Sequence, residues 1–168
     1  MNNRSAIAPS ESSITDPYKK GYLFEEFITK LFNERHFKLE TWRKAERKEY
    51  GVYPFFMAHP DLELVFVGKR KYRFAVECKW RSEFKRGKIT WVDSYNKILI
   101  YRDFQSRFRI PVFIAIGIGG KPSAPGKLFL TPLDDIGNVT EVYESELLPY
   151  SRQPNHRFFY DTIQLKLF

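Results

Sequence analysis

Three residues have the types and spacing that hydrolysis of a phosphodiester requires: Asp61, Glu77 and Lys79. The two carboxylates are hard oxygen ligands of the kind that Mg²⁺ prefers, and Mn²⁺ is the expected substitute. A metal ion between them would polarise a phosphoryl oxygen and lower the pKa of a bound water. The lysine ammonium would stabilise the negative charge that develops on the phosphate. These residues therefore predict metal-assisted hydrolysis of a phosphate ester.

Two strand-like stretches contain these residues. The first covers residues 61–67 and the second residues 72–80, and a polar segment with a glycine separates them, which predicts a β-hairpin. In a hairpin the start of the first strand lies beside the end of the second, so Asp61 and Glu77 become cross-strand neighbours although they are sixteen positions apart. Because side chains alternate along a strand, Glu77 and Lys79 share one face. The opposite face is predicted to be core: Phe74, Val76, Cys78 and Trp80.

The same residues have a purely structural interpretation. A chain with 28 basic and 20 acidic residues contains Glu-x-Lys by chance, and such a pair on a strand is usually a solvated ion pair worth little. Two features favour a functional site. The acids lie in strands rich in Val, Leu and Phe, where an unpaired charge is costly. A third acid, Glu25, lies upstream in a predicted helix.

That helix has a clear start. Asp16 is a good N-cap residue, and Pro17 suits the first helical position. Apolar residues then recur with helical spacing: Phe24, Phe27, Ile28, Leu31 and Phe32. Glu25 lies at the border of this apolar stripe, while Glu26 lies on the solvent side with Lys30 one turn later. Glu25 is therefore either a half-exposed boundary residue or an acid that reaches a site on the sheet.

Taken in order, these motifs resemble those of the PD-(D/E)xK nuclease superfamily, the restriction-endonuclease-like group. The motifs are Gly21-x-x-Phe24-Glu25 in a first helix, Pro60-Asp61 on a strand and Glu77-x-Lys79 on the next strand. The resemblance extends over about residues 17–119. It implies an α/β fold with a central mixed β-sheet flanked by helices, in the core order helix, three strands, helix, strand.

The resemblance also implies roles for the site residues. Asp61 and Glu77 would bind the metal, Lys79 would position or activate the attacking water, and Glu25 would be an auxiliary acid. The implied activity is that of a Mg²⁺-dependent endonuclease, with DNA as the favoured substrate and restriction, repair or junction resolution as the setting. RNA stays open, as do a non-catalytic nucleic-acid-binding module that retains the fold and an interaction protein with an accidental motif. Cleavage of two strands would favour a homodimer.

The charge distribution also indicates a polyanionic partner. The net charge is +8, and residues 69–88 alone contain nine basic and two acidic residues. Neutralisation of phosphates dominates nucleic-acid affinity, and the aromatic residues within this segment could stack on bases. The alternative is a solvated basic face over core aromatics. The candidate nucleic-acid-binding residues are Lys69, Arg70, Lys71, Arg81, Lys85, Arg86 and Lys88.

The rest of the chain is consistent with one α/β domain at residues 16–168. Residues 1–15 are predicted to be a disordered tail, because they are polar and lack the apolar core of a signal peptide. No run is long and apolar enough for a membrane span, and the single cysteine, Cys78, suits a cytoplasmic protein with a buried thiol. Further elements are predicted as follows: a first strand at 37–42, a second helix at 92–108, a buried strand at 110–118 and edge strands at 127–131 and 158–167. The second helix should turn Tyr95, Ile98, Leu99 and Phe104 toward the sheet, with Lys97 near the site.

Overall fold

The computed structural model of the chain describes residues 16–43 and 59–168, so the predicted tail at residues 1–15 lies outside the described residues. The longer helices are α1 (Pro17–Leu31) and α2 (Tyr95–Phe108). Short helices follow: α3 (Leu133–Ile136), α4 (Glu144–Leu147) and a 3₁₀ helix at Leu148–Tyr150. The strands are β1 (Phe37–Trp42), β2 (Leu62–Val67), β3 (Lys71–Arg81), β4 (Lys88–Thr90), β5 (Val112–Ile118), β6 (Lys127–Pro132), β7 (Glu141–Tyr143), β8 (Ser151–Arg152), β9 (Tyr160–Asp161) and β10 (Lys166–Leu167).

The centre of the molecule is a six-stranded mixed sheet with the order β1-β2-β3-β5-β6-β8. Strands β1, β2 and β3 form an antiparallel meander, and β5 pairs with β3 in parallel after the α2 crossover. Two smaller two-stranded sheets, β4 with β7 and β9 with β10, lie beside it. The predicted α/β class is confirmed, and the order helix, three strands, helix, strand is present as α1, β1 to β3, α2 and β5.

The β2–β3 hairpin has the predicted register. Leu62 pairs with Val76 and Val67 pairs with Lys71, so one further step places Asp61 beside Glu77. The Asp61 side chain also reaches across the hairpin, because its Oδ2 accepts the backbone N–H of Cys78 at 2.9 Å. This bond to β3, a strand of eleven residues, holds Asp61 at the open end of the hairpin, where β2 begins.

Helix α1 covers one face of the sheet and begins as predicted. The Asp16 Oδ1 atom accepts the N–H of Tyr18 at 2.9 Å, and Pro17 is the first helical residue. The expected ion pair between Lys30 and Glu26 is present at 2.9 Å. The buried residues of α1 share one core with the predicted core face of β3: Phe24, Ile28, Leu31, Phe74, Val76 and Cys78.

Helix α2 covers the other face, and here two predictions are wrong. The helix begins at Tyr95 instead of residue 92, and Tyr95 and Leu99 are 48% and 46% exposed. Ile98 and Phe104 are buried as predicted, but Leu99 lies about 100° around the helix from Ile98. The third buried residue is Tyr101, so the buried side is spaced by three. The predicted strand at 110–118 is β5, which is buried along its whole length. Both faces of the sheet are therefore covered.

The segment after Gly120 departs from the predicted edge strands. Strand β6 lies between β5 and β8 instead of at the edge. Strands β9 and β10 pair only with each other, and their residues Tyr160 and Leu167 pack into the α1-side core. The alternating sequence specified extended backbone in these segments but not the partner strand. None of the helices among residues 16–43 and 59–168 is long and apolar enough to cross a membrane.

Gly117 fixes how closely α1 approaches the sheet. A Cβ atom at this position would lie 2.4 Å from the ring of Phe24, which is completely buried. Overpacking of a core typically costs 1–3 kcal/mol. Gly117→Ala should therefore lower the free energy of unfolding by about 1–3 kcal/mol, as measured by urea denaturation.

A smaller side chain at residue 24 provides the matched comparison for this substitution. The clash involves the Phe24 ring, so Gly117→Ala should cost much less in a Phe24→Leu background than in the parent chain. Equal costs in the two backgrounds would show that the ring contact does not limit the size of residue 117.

Candidate active site

Asp61, Glu77 and Lys79 meet at one open pocket of about 410 Å³. The three side chains come from the mouth of the β2–β3 hairpin. Pro17 and Tyr18 bring the N-terminal end of α1 to the same pocket. The remaining lining residues are His59, Cys78, Asp93, Lys97 and Tyr101. The sequence prediction that two distant acids and a lysine converge is thus realised in the geometry, and Lys97 lies near the site as expected.

Glu77 is the most constrained member of the pocket, with 2% of its surface exposed. Its Oε1 atom accepts the hydroxyl hydrogen of Tyr101 at 2.7 Å and also contacts the ammonium of Lys79. Its Oε2 atom is buried and has no hydrogen-bond partner among the described residues. Burial, and then the nearby Asp61 carboxylate, raise the pKa of Glu77, while Lys79 and Tyr101 oppose this increase.

Lys79 is held as a cation inside the pocket. Burial alone would lower its pKa, but the Glu77 and Asp61 carboxylates outweigh burial and raise the pKa of Lys79 above its usual value. The lysine side chain keeps 19% of its surface exposed, so it still faces the pocket opening. Lys79 is therefore a fixed positive charge beside two acids and not a proton donor at neutral pH.

The donor set of the pocket fits a hard divalent cation. Within residues 16–43 and 59–168, no three His, Cys, Asp or Glu side chains form a metal-binding group. Two carboxylates suffice for Mg²⁺, because this ion keeps several of its waters and binds substrate phosphate as well. The buried Oε2 atom of Glu77 has no hydrogen-bond partner in the described chain, so it could serve as a ligand. A cation beside it would also relieve the repulsion between Glu77 and Asp61. Asp61 and Glu77 are the residues that would bind the metal.

Glu25 occupies a different place from the one predicted. It is completely buried instead of half exposed, and its Oε2 atom accepts the indole N–H of Trp42 at 2.8 Å. Strand β1 covers the border of the apolar stripe and supplies this donor, which helical periodicity alone did not predict. Glu25 is not among the described residues that line the pocket. Its role as an auxiliary acid stays a prediction.

Tyr101 and Asp93 are among the pocket residues that were not predicted from the sequence. Tyr101 lies three residues after Ile98 on the buried side of α2, and burial raises the pKa of its hydroxyl, with further contributions from Glu77 and Asp61. A tyrosine in an apolar stripe needs a partner for its hydroxyl, and this signal could have identified it. Asp93 pairs with Lys97 at 2.8 Å, a bond that lowers the pKa of Asp93.

The structure divides the predicted nucleic-acid-binding residues into two groups. Lys69, Arg70 and Lys71 lie at the turn of the β2–β3 hairpin. Glu77 is six residues beyond Lys71 along β3, which separates the two by about 20 Å at the usual rise per residue. The remaining four residues lie at the pocket end of β3 or just after it: Arg81, Lys85, Arg86 and Lys88. The basic segment therefore lies only in part beside the site, and nucleic-acid binding by either group stays a prediction.

Within the second group, residues 85–88 form a tight turn. Lys85 and Lys88 exchange backbone hydrogen bonds, and Arg86 and Gly87 have φ values of 53° and 76°. Lys88 forms an ion pair with Glu141 at 2.5 Å, and Arg81 donates to the carbonyl oxygen of Thr90 at 2.9 Å. Lys85 and Arg86 are exposed and form no ion pair in the described parts of the chain, so they are the members of this group that are open to a phosphate.

Loss of the Tyr101 hydroxyl should shift the pH dependence of the site. In Tyr101→Phe the Glu77 carboxylate loses a hydrogen bond that lowers its pKa, so this pKa should increase further. Metal ligands must be deprotonated, so Mn²⁺ binding should begin at a higher pH than in the parent chain. Calorimetric titrations at several pH values measure this shift. An unchanged pH profile would show that Tyr101 only fills space, and Tyr22→Phe, outside the pocket, is the matched control.

The mixed sheet, its helices on both faces and the acids at the mouth of the β2–β3 hairpin define a restriction-endonuclease-like fold. A solved structure with this fold is Hjc, a Holliday junction resolvase from the archaeal hyperthermophile Archaeoglobus fulgidus. The chain superimposes on it with a TM-score of 0.53 and 16% identity, over 84% of this chain and 99% of Hjc. No protein-family model and no curated protein sequence matches the chain.

Proposed function

We propose that this chain is a metal-dependent endonuclease of the junction-resolving type that hydrolyses phosphodiester bonds in DNA. The observation that supports this most strongly is the pocket in which Asp61, Glu77 and Lys79 meet, where a buried carboxylate oxygen of Glu77 has no partner among the described residues. The structural likeness to Hjc supports the choice of branched DNA as the substrate class.

Each side chain has a distinct task in this proposal. Asp61 and Glu77 would hold Mg²⁺, which when bound would polarise the phosphate and acidify a water. Tyr101 and Lys79 fix Oε1 of Glu77, which leaves Oε2 for the metal. The ammonium of Lys79 stabilises the charge that develops on the phosphate in the transition state. Lys85 and Arg86 contact the DNA backbone on the pocket side.

The direct test compares two labelled substrates, a four-way junction and a linear duplex of the same sequences. We expect Mg²⁺-dependent incisions in the junction, weaker cleavage of the duplex and no product in EDTA. Equal cleavage of both would retain the nuclease but remove the junction preference. Binding of DNA with no incision in Mg²⁺ or Mn²⁺ would favour the non-catalytic binding module. Cleavage of an RNA duplex in preference to DNA would contradict the substrate assignment.

Resolution of a junction requires two incisions, and each chain offers one pocket of this kind among its described residues. A symmetric homodimer would supply the second pocket with the same geometry. Sedimentation of the chain with and without a junction tests this part of the proposal, and a monomer on a junction that is nevertheless cleaved twice would contradict it.

A further inference from the structure

A second groove lies at the opposite end of the sheet from the pocket. It is an open cavity of about 620 Å³ between the turn of the β2–β3 hairpin and the β9–β10 hairpin. Its lining includes Lys69 and Arg70 from the turn, together with residues 159–163 from the β9–β10 hairpin. The groove is about 20 Å from Glu77 along β3, so its charges are outside the reach of a phosphate held at the pocket.

The cations at this groove form no ion pair in the part of the chain that the structure describes. Lys69, Arg70 and Lys71 are all exposed. The acid that lines the groove is Asp161. Its Oδ1 atom already accepts the backbone N–H groups of Ile163 and Gln164, at 2.8 and 2.9 Å. The turn therefore offers a concentrated positive charge to an anionic ligand.

Aromatic rings adjoin these cations. Four of them line the groove: Phe66, Tyr72, Phe159 and Tyr160. Tyr160 is buried, and its ring stacks on the ring of Phe74 with 5.2 Å between the ring centroids. Phe159 is 60% exposed at the rim, and Ile163 beside it is 92% exposed. The exposed Phe159 ring and the partly exposed rings of Phe66 and Tyr72, beside exposed cations, match a ligand with flat apolar groups on a charged backbone.

We propose that this groove binds a single-stranded nucleic-acid segment, separately from the cleavage pocket. Unpaired bases expose faces that stack on aromatic side chains, whereas a duplex hides them, and the adjacent phosphates meet the cations. An acidic peptide would satisfy Lys69, Arg70 and Lys71 but would make less use of the rings. Strand binding here does not require that the chain cleaves DNA, so it extends beyond the function proposed above.

The test measures binding of fluorescein-labelled oligothymidylate to the full chain by anisotropy, at low salt and in EDTA. The triple variant Lys69→Ala/Arg70→Ala/Lys71→Ala should weaken binding about tenfold or more. Phe159→Ala should weaken it by about five- to tenfold, and Phe159→Leu, which keeps an apolar side chain at the rim, should show a similar loss. The matched control, Arg107→Ala/Lys121→Ala, removes two exposed cations outside both the groove and the pocket and should change affinity by less than about twofold.

Three outcomes would overturn the proposal. The first is the absence of oligothymidylate binding, and the second is a loss in the Arg107→Ala/Lys121→Ala control equal to that in the triple variant. The third is an unchanged affinity in both Phe159 variants together with full competition by polyglutamate, which would show a nonspecific polyanion surface or a peptide site. Because cleavage is not measured, a failure here is distinct from a failure of the nuclease proposal.

Discussion

Replacement of Lys79 by alanine should reduce the rate of DNA cleavage by about 100- to 1000-fold, the range found when a preorganised group that stabilises a developing oxyanion is removed. Lys79 contacts Glu77 and faces the pocket with a raised pKa, so its positive charge is present throughout the neutral range. This charge matters most when the phosphate gains negative charge in the transition state. DNA affinity should change little, because one phosphate contact among many contributes a small part of binding.

The Lys79→Ala variant also predicts a shift with pH. Lys79 opposes the effects of burial and of Asp61 on Glu77, so its loss should raise the pKa of Glu77 further. The residual cleavage should therefore require a higher pH than cleavage by the parent chain, since a protonated Glu77 cannot bind metal. Rates of junction cleavage under single-turnover conditions, measured across pH, test both effects.

Lys121→Ala is the matched control for Lys79→Ala, because Lys121 is exposed and lies outside the lining of the pocket. It should cleave at the parental rate. If Lys79→Ala unfolds the chain while the parent never nicks DNA, Lys79 is a structural partner of Glu77 and the enzyme hypothesis is wrong.

Asp61→Asn should weaken Mn²⁺ binding at least about tenfold, since it removes the charge of one of two hard oxygen ligands. The substitution isolates the ligand effect. The Asp61 charge raises the pKa of Glu77, so its loss makes Glu77 easier to ionise, and protonation of Glu77 cannot explain weaker binding. The fold should persist, because an asparagine oxygen can still accept the N–H of Cys78. Calorimetric titration with Mn²⁺ measures the affinity.

The control for Asp61→Asn is Asp103→Asn, which neutralises an exposed carboxylate that pairs with Arg107 at 3.1 Å outside the active-site pocket. Its Mn²⁺ affinity should equal that of the parent chain. If Asp61→Asn also binds Mn²⁺ with parental affinity, Asp61 is not a metal ligand, and the loss of cleavage expected in this variant would need another explanation.

The sequence by itself determined the features that depend on local pattern. Alternation and a glycine-containing turn specified the β2–β3 hairpin, and the hairpin register places Asp61 next to Glu77. Period two placed Glu77 and Lys79 on one face, opposite the core residue Val76. The cap at Asp16 fixed the start of α1. Each of these depends on neighbours in the chain or on a single short turn.

The tertiary structure decided which distant groups satisfy the buried polar atoms. Helical periodicity placed Glu25 at a boundary, but the indole of Trp42 on β1 converts it into a buried acceptor. Tyr101 looks like an ordinary core residue in the sequence, and only the crossover of α2 over β3 brings its hydroxyl to Glu77. The direction of β3 also separates Lys71 from Glu77, although the charge pattern joins them. A one-dimensional pattern specifies faces and periods, whereas these contacts depend on how separate elements pack against one another.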